Sequence, residues 1–293
     1  MRWRAAPRSG KVVSVMDVHV IETGQALVRW GQLRATGSDR TRQLKALVGR
    51  EWAPPIPMRA WLIEHPEGLI LVDTGETARV HEPGFRPRWH PYYARCLRSR
   101  LEPSEELGPR LLALGVKPSD IRWVVLTHLH TDHAGGLEHV EGCDILVSAA
   151  ELEYAAGFAG RVRGYLGHRW PGWFAPRSVM MDPEPYGDFP SSHRLTDAGD
   201  VIVVETPGHT PGHLSLVLEQ PNGPRLVFVG DAIYSEQLLQ AGAEDGLAAD
   251  AARSRESVQR LTALKSERST VLLPTHDPHA PERLREAMAA AAP

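Results

Sequence analysis

The sequence is poor in cysteine, carries no basic surplus and contains no long uninterrupted apolar segment. Its two cysteines, Cys96 and Cys143, stand far apart in unrelated contexts. A disulfide framework needs more than this and a thiolate metal site needs close spacing, so both are expected to be small, reduced apolar residues. No stretch offers the roughly 18 uncharged apolar residues that a membrane-spanning helix requires. The N-terminal segment lacks the continuous apolar core of a secretory signal, so a soluble, cytoplasmic protein without a membrane role is expected. The formal net charge of −3 argues against a nucleic-acid surface, which would show a basic excess. Four of the first eleven residues are basic (Arg2, Arg4, Arg8, Lys11), and residues 1–11 are expected to form a solvated, mobile tail. There is no internal repeat and no low-complexity linker.

What the chain does contain is enough ordinary apolar residues, over 293 positions, to bury a sizeable core. One domain over residues 1–293 is expected. Short apolar runs predict strands at Val12–Ile21, Arg59–Glu64, Leu69–Asp73, Ile121–Thr127, Asp144–Ser148, Asp200–Glu205, Leu214–Leu218, Leu226–Val229 and Thr270–Leu273. The second and third flank a Pro-Glu-Gly turn and predict a hairpin. Helical periodicity appears in Glu105–Leu114, Ala149–Ala156, Ala252–Leu264 and after Pro281. Strands outnumber helices in the middle, and helices recur between and after them. That pattern predicts two sheets covered by helices in a single layered domain. Residues 157–192 are rich in Gly, Pro and aromatics and predict a lid or pocket loop. Met180 and Met181 are expected to be strand core.

The densest chemical signal is THLHTDHAGG, Thr127–Gly136, which places three histidines and an aspartate between His128 and His133. It follows IRWVVL, the near-continuous apolar run of a strand buried on both faces. The polar residues therefore fall beyond the strand's C-terminal end, where layered folds place their sites. His128 and His130, two apart, point the same way in extended chain. Asp132 and His133 follow the bend. Neutral imidazoles and a carboxylate suit a borderline divalent ion, zinc first. Three later segments share this grammar: His209 follows VIVVETPG, Asp231 follows LVFVG, and His276 follows TVLLPT, each at the end of an expected strand.

THLHTDH, then TPGH, GD and a late His in this order resemble the metallo-β-lactamase superfamily, over roughly Pro57–Pro281. The resemblance implies an αββα sandwich of two mixed β-sheets flanked by helices. It implies that His128, His130 and His209 bind one metal, that Asp132, His133 and His276 bind a second, and that Asp231 bridges them. The implied cofactor is two divalent ions, zinc first, with iron, cobalt or manganese as alternatives. Asp73, in LVDTG, matches the aspartate that braces the metal-bearing loop, and His213 the histidine with a structural role.

Within the superfamily, Asp231 points away from the antibiotic-degrading lactamases. The chain after His276 has room for one helix but not for the helical domain of the thioesterases. The segments PIPMRAWLIEHPEGLILVDTG, THLHTDHAGG, TPGHTPGHLSLVLE and GDAIY are similar to those of the quorum-quenching N-acyl-homoserine lactonases. In that family a tyrosine three residues after the bridging aspartate polarises the lactone carbonyl, and Tyr234 stands there. The resemblance thus implies a dinuclear-metal hydrolase that opens N-acyl-homoserine lactones by attack of a metal-bridging hydroxide, with Tyr234 and Asp132 as catalytic groups and Asp132 shuttling the proton. The expected partner is a small lactone or ester, with a homodimer as the family expectation. The alternatives are another lactone, an aryl ester or a phosphotriester as substrate, an iron-dependent oxidative enzyme, or a non-catalytic metal-binding module. For the acyl chain, apolar contacts are expected from residues 158–174 and from Leu27–Leu33.

Overall fold

The computed structural model describes residues 16–291. The expected tail over residues 1–11 lies outside them, as does the start of the strand expected at Val12–Ile21. That strand is found at Val18–Val28 (β1). It joins a seven-stranded sheet with Ile56–His65 (β2), Gly68–Val72 (β3), Leu97–Arg100 (β4), Ile121–Val125 (β5), Asp144–Ser148 (β6) and Arg177–Val179 (β7). Their order across the sheet is β4-β1-β2-β3-β5-β6-β7. A five-stranded sheet holds His193–Arg194 (β8), Val201–Glu205 (β9), Leu214–Leu218 (β10), Arg225–Gly230 (β11) and Thr270–Pro274 (β12), in the order β12-β11-β10-β9-β8.

Both sheets are mixed. β1, β2 and β3 pair antiparallel, the β2–β3 hairpin closing at His65 and Gly68, whereas β3, β5, β6 and β7 run parallel. In the second sheet β8 to β11 alternate and β12 runs parallel to β11. Because side chains alternate along a strand, a strand covered on both faces must be apolar at every position. β3 divides in this way: Ile70 and Val72 enter the core between the sheets, while Leu69 and Leu71 face outward. In β9, Val201 and Val203 meet the same inner core, and Ile202 and Val204 face outward. Trp61 of β2 meets Phe228 of β11 edge-on across the inner layer, ring centres 5.7 Å apart.

Helices cover the outer faces. Leu107 and Leu111, from the helix Leu107–Ala113, and Ala155, from Ala149–Ala156, pack on the first sheet. Leu261 and Leu264, from Ala251–Glu267, pack on the second. The layering is helix, sheet, sheet, helix, as the resemblance implied. β3 and β5 run parallel, as do β11 and β12, and two antiparallel steps make β9 parallel to β11. The C-terminal ends of β5, β9, β11 and β12 each lead directly into one of the histidine- or aspartate-bearing segments.

Two expectations are corrected. Met180 is 73% exposed, because β7 ends at Val179 and the chain leaves the sheet there; only Met181 packs against the core. Residues 157–192 are not one loop: they include the helix Phe158–Val162 and β7, and Trp170, Trp173 and Phe174 pack against the outer core of the first sheet.

After β3 the chain turns through Asp73 (φ 60°) and Gly75 (φ 70°). A β-carbon at Gly75 would run into the Thr23 side chain, whereas one at Gly84 (φ 83°) meets nothing within 4 Å. Both substitutions suffer left-handed backbone strain, and only the first adds a clash. Gly75→Ala is expected to cost at least about 2 kcal/mol, and Gly84→Ala about 1 kcal/mol. Chemical denaturation of the two variants measures this; equal losses would refute the account.

Candidate metal centre

The segment after β5 supplies four of the predicted residues. His128 is fully buried, and after Leu129 the chain bends into the one-turn helix Thr131–Ala134, which carries Asp132 and His133. The turn after β9 brings in His209, the end of β11 Asp231, and the end of β12 His276. His128 Nε2 and His209 Nε2 each lie 3.0 Å from His130 Nδ1. His276 Nε2 is 3.4 Å from Asp132 Oδ2 and shares a second cluster with His133. Asp231 stands between the clusters: its Oδ1 is 3.1 Å from both His133 Nε2 and His276 Nε2, and its Oδ2 is 3.5 Å from His209 Nε2. The structure therefore gathers all seven residues named from the sequence. Whether they hold a metal is a question of their chemistry.

For three of the five imidazoles, the far nitrogen faces a fixed partner. His133 Nδ1 donates to Asp73 Oδ2 at 2.7 Å, His209 Nδ1 to Asp245 Oδ2 at 2.8 Å, and His276 Nδ1 to the Pro57 carbonyl at 2.7 Å. Each bond leaves the Nε2 lone pair directed inward, the usual arrangement of a metal-ligating histidine. Asp73 also accepts from the Thr127 backbone N–H at 2.7 Å and its hydroxyl at 2.9 Å, so it ties the histidine segment to the end of β3. His213 accepts the Asp231 backbone N–H at 3.1 Å and thereby positions Asp231 without facing the centre itself.

The electrostatics fit a cation. Burial, then the neighbouring His133, His130 and His209, push His128 well below the ordinary imidazole range. Burial and His209 push His130 down to about 3, so both are neutral donors. Burial opposes the Asp231 charge; His276 and His133, pushed up by Asp231 against their own burial, hold its carboxyl well below the usual range when protonated, and a cation would take the place of those protons. His133 Nε2 and Asp231 Oδ1 are buried, close together and without a hydrogen bond of acceptable angle. A divalent ion with imidazole and carboxylate ligands satisfies orphaned atoms of this kind.

Three buried carboxylates gave no sequence signal. Asp245 holds His209 and also accepts from the Tyr234 hydroxyl at 3.3 Å. Glu76 bonds Thr131 at 3.1 Å and Arg86 at 2.7 Å behind Asp132, and burial pushes its carboxyl up to about 6. Glu151, on the helix Ala149–Ala156, accepts from Leu129 N at 3.0 Å, Gly212 N at 3.3 Å and Tyr165 Oη at 2.6 Å. It thus joins the segments carrying His128–His133 and His209. A buried glutamate on a helix looks in sequence like any solvated one.

A cavity of about 220 Å³ opens on the centre, with His130, Asp132, His209 and Asp231 at its floor. Its walls include Trp89, Tyr92 and Tyr93, together with Val162 to Tyr165. Of the expected acyl-chain contacts, Val162–Tyr165 and Gln32 line it; Val28 and Leu33 are buried elsewhere. Tyr234 lies beside the centre rather than along these walls, 5% exposed, its hydroxyl 3.4 Å from His209 Nδ1.

The sequence profile of the Metallo-beta-lactamase superfamily matches residues 54–276. The N-acyl homoserine lactonase AttM of Azorhizobium caulinodans is 30% identical over 247 residues, covering 79% of this chain and 85% of the relative. A probable metallo-hydrolase of Mycobacterium tuberculosis, Rv2300c, is 34% identical over 184 residues, 61% of this chain and 57% of its own length. Among solved structures, a mutant AiiA of B. thuringiensis with N-decanoyl-L-homoserine at its active site has a TM-score of 0.73 at 20% identity, covering 92% of this chain and 97% of that one. AidC, a dizinc quorum-quenching lactonase, has a TM-score of 0.61 at 16% identity over 92% and 90% of the two chains. The chain belongs to the Metallo-beta-lactamase superfamily.

Glu151→Ala removes an acceptor from three buried donors and is expected to destabilise the protein by about 2–4 kcal/mol. The unfolding midpoint in denaturant reports it; an unchanged midpoint would show that these bonds do not join the two segments.

Proposed function

We propose that this member of the superfamily is a metal-dependent hydrolase that opens N-acyl homoserine lactones at a centre of two divalent cations, zinc first. The observation that carries this reading is the position of Asp231, with one oxygen toward His133 and His276 and the other toward His209. His128, His130 and His209 would hold one cation and Asp132, His133 and His276 the other, with Asp231 between. When bound, such a pair supplies a water acidic enough to ionise near neutral pH and a Lewis acid for the carbonyl. The lactonase names of relatives that align over most of their length support the substrate class.

The residues of the chain do the rest. Water adds at the lactone carbonyl carbon, a carbon–oxygen bond forms, the bond from that carbon to the ring oxygen breaks, and the ring oxygen takes up a proton to leave as the alcohol. Asp132 is the one carboxylate of the centre with appreciable exposure, 24%, and it lines the cavity. It takes the proton from the attacking water and returns it to the ring oxygen. We assign Tyr234, the phenol beside the centre, to the lactone carbonyl oxygen: its hydroxyl would exchange its bond to Asp245 for one to that oxygen as charge grows there. Asp73, Asp245 and the Pro57 carbonyl keep the imidazoles in the required tautomer. We further propose a cytoplasmic, single-domain homodimer, two-fold dimers being the commonest of soluble oligomers.

The cavity falls below the roughly 300 Å³ lower end of drug-sized sites, so short acyl chains should fit best. A proton-release assay across butanoyl, hexanoyl, decanoyl and dodecanoyl homoserine lactones, with aryl esters and a phosphotriester beside them, tests the reading. The highest kcat/KM is expected on the two short lactones; fast turnover of the esters or phosphotriester with inert lactones would overturn it. Tyr234→Phe should lower kcat/KM on the order of tenfold to a hundredfold with metal content unchanged. An unaltered rate would remove Tyr234 from the reaction.

A further inference from the structure

One charged group at the cavity takes no part in the metal centre. Arg163 follows the short helix Phe158–Val162, and its half-buried side chain reaches the segment opposite, donating from Nη1 to the Leu247 carbonyl at 3.2 Å. Arg163 and Leu247 both line the cavity, so the guanidinium spans its wall. Among the described residues no carboxylate lies within ion-pair distance of Arg163, and no aromatic ring stacks on it. The buried Arg42 donates to carbonyls of the same segment, Asp245 at 2.8 Å and Ala248 at 2.6 Å, and among the described residues it has no carboxylate within ion-pair distance. The hydrogen bonds of both guanidinium groups thus go to backbone carbonyls of residues 245–248, while Asp39 acts on Arg42 at longer range.

A guanidinium has five N–H donors in a fixed fork that matches a carboxylate with two parallel bonds. The hydrogen bond to Leu247 uses one of them and holds the group in place, which lowers the entropy cost of binding a second partner. The acidic residues at the cavity are Asp132 and Asp231, which belong to the metal centre. The cavity that holds both the centre and Arg163 also has apolar lining from Leu47, Trp89, Leu97 and Val162. A molecule that fits this arrangement has a reactive ring at one end, a few methylenes, and an anionic group at the other.

We infer that the substrate of this site is a lactone whose acyl arm ends in a carboxylate, and that Arg163 binds that carboxylate. The inference rests on the lactonase reading and narrows it. Arg163 sets specificity and does not touch the reacting atoms.

The test compares two lactones of nearly equal length, N-succinyl homoserine lactone and its neutral counterpart N-pentanoyl homoserine lactone, on the metal-loaded full chain. The wild type is expected to show the higher kcat/KM on the succinyl compound. In Arg163→Met the succinyl-to-pentanoyl ratio of kcat/KM should fall at least about tenfold, chiefly through KM, as expected for loss of a charge-assisted bond. Arg163→Lys, which keeps the charge but not the fork, should retain part of the ratio and shows whether a loss comes from charge or from misfolding. Opening of both lactones with a ratio that favours the pentanoyl compound, or that Arg163→Met leaves unchanged, overturns the inference and leaves the lactonase reading standing. Opening of neither overturns the inference, and the lactonase reading falls with it only when the butanoyl to dodecanoyl lactones are inert as well.

Discussion

Three hydrogen bonds that leave the centre, rather than enter it, hold the rest of the site in order. His133 donates to Asp73, His209 to Asp245 and His276 to the Pro57 carbonyl, at 2.7, 2.8 and 2.7 Å. Each fixes a tautomer, and each points a lone pair into a small space shared with Asp231. Without these bonds the imidazoles could turn, and seven polar side chains at the rim of an apolar sandwich would have no common focus. The acceptors come from distant parts of the chain: Asp73 from the end of β3, Pro57 from β2, and Asp245 from the segment before the helix Ala251–Glu267. The centre is therefore only as ordered as the fold that positions its acceptors.

That fold supplies order by burying both faces of its strands. Ile70 and Val72 on one side of β3 and Leu69 and Leu71 on the other fill two different cores, so a slip by one residue would exchange the side chains that each close-packed core has to fit. The same holds for β9. With registers fixed, the ends of β5, β9, β11 and β12 are fixed, and so are the residues that follow them. Glu151 adds a direct link between two of those ends, from beneath.

Much of this was legible in the residues. Continuous apolar runs identified the buried strands, and the abrupt change to His, Asp and Gly marked where each strand stopped and the site began. All seven residues so named converge. Polar, short or edge strands were not legible: β4, with the sequence LRSR, and β7 and β8 have too few apolar residues to show a period. Met180 was misplaced because apolar character alone does not say where an edge strand ends. Asp245, Glu76 and Glu151 were missed for a different reason. Their role depends on burial, which tertiary packing creates and local sequence does not encode. The aromatics Trp170, Trp173 and Phe174, grouped by composition with an expected lid, pack against the outer core of the first sheet instead.

The central claim is that the seven convergent residues form one centre for two cations, with Asp231 shared. Equilibrating the purified, chelator-stripped chain with zinc, removing free metal and counting bound ions by mass spectrometry tests it directly. The account predicts two zinc ions per chain in the wild type and a loss of the pair, not of one ion alone, in Asp231→Ala. A wild type that retains one ion or none, or an Asp231→Ala variant that still retains two, would contradict it.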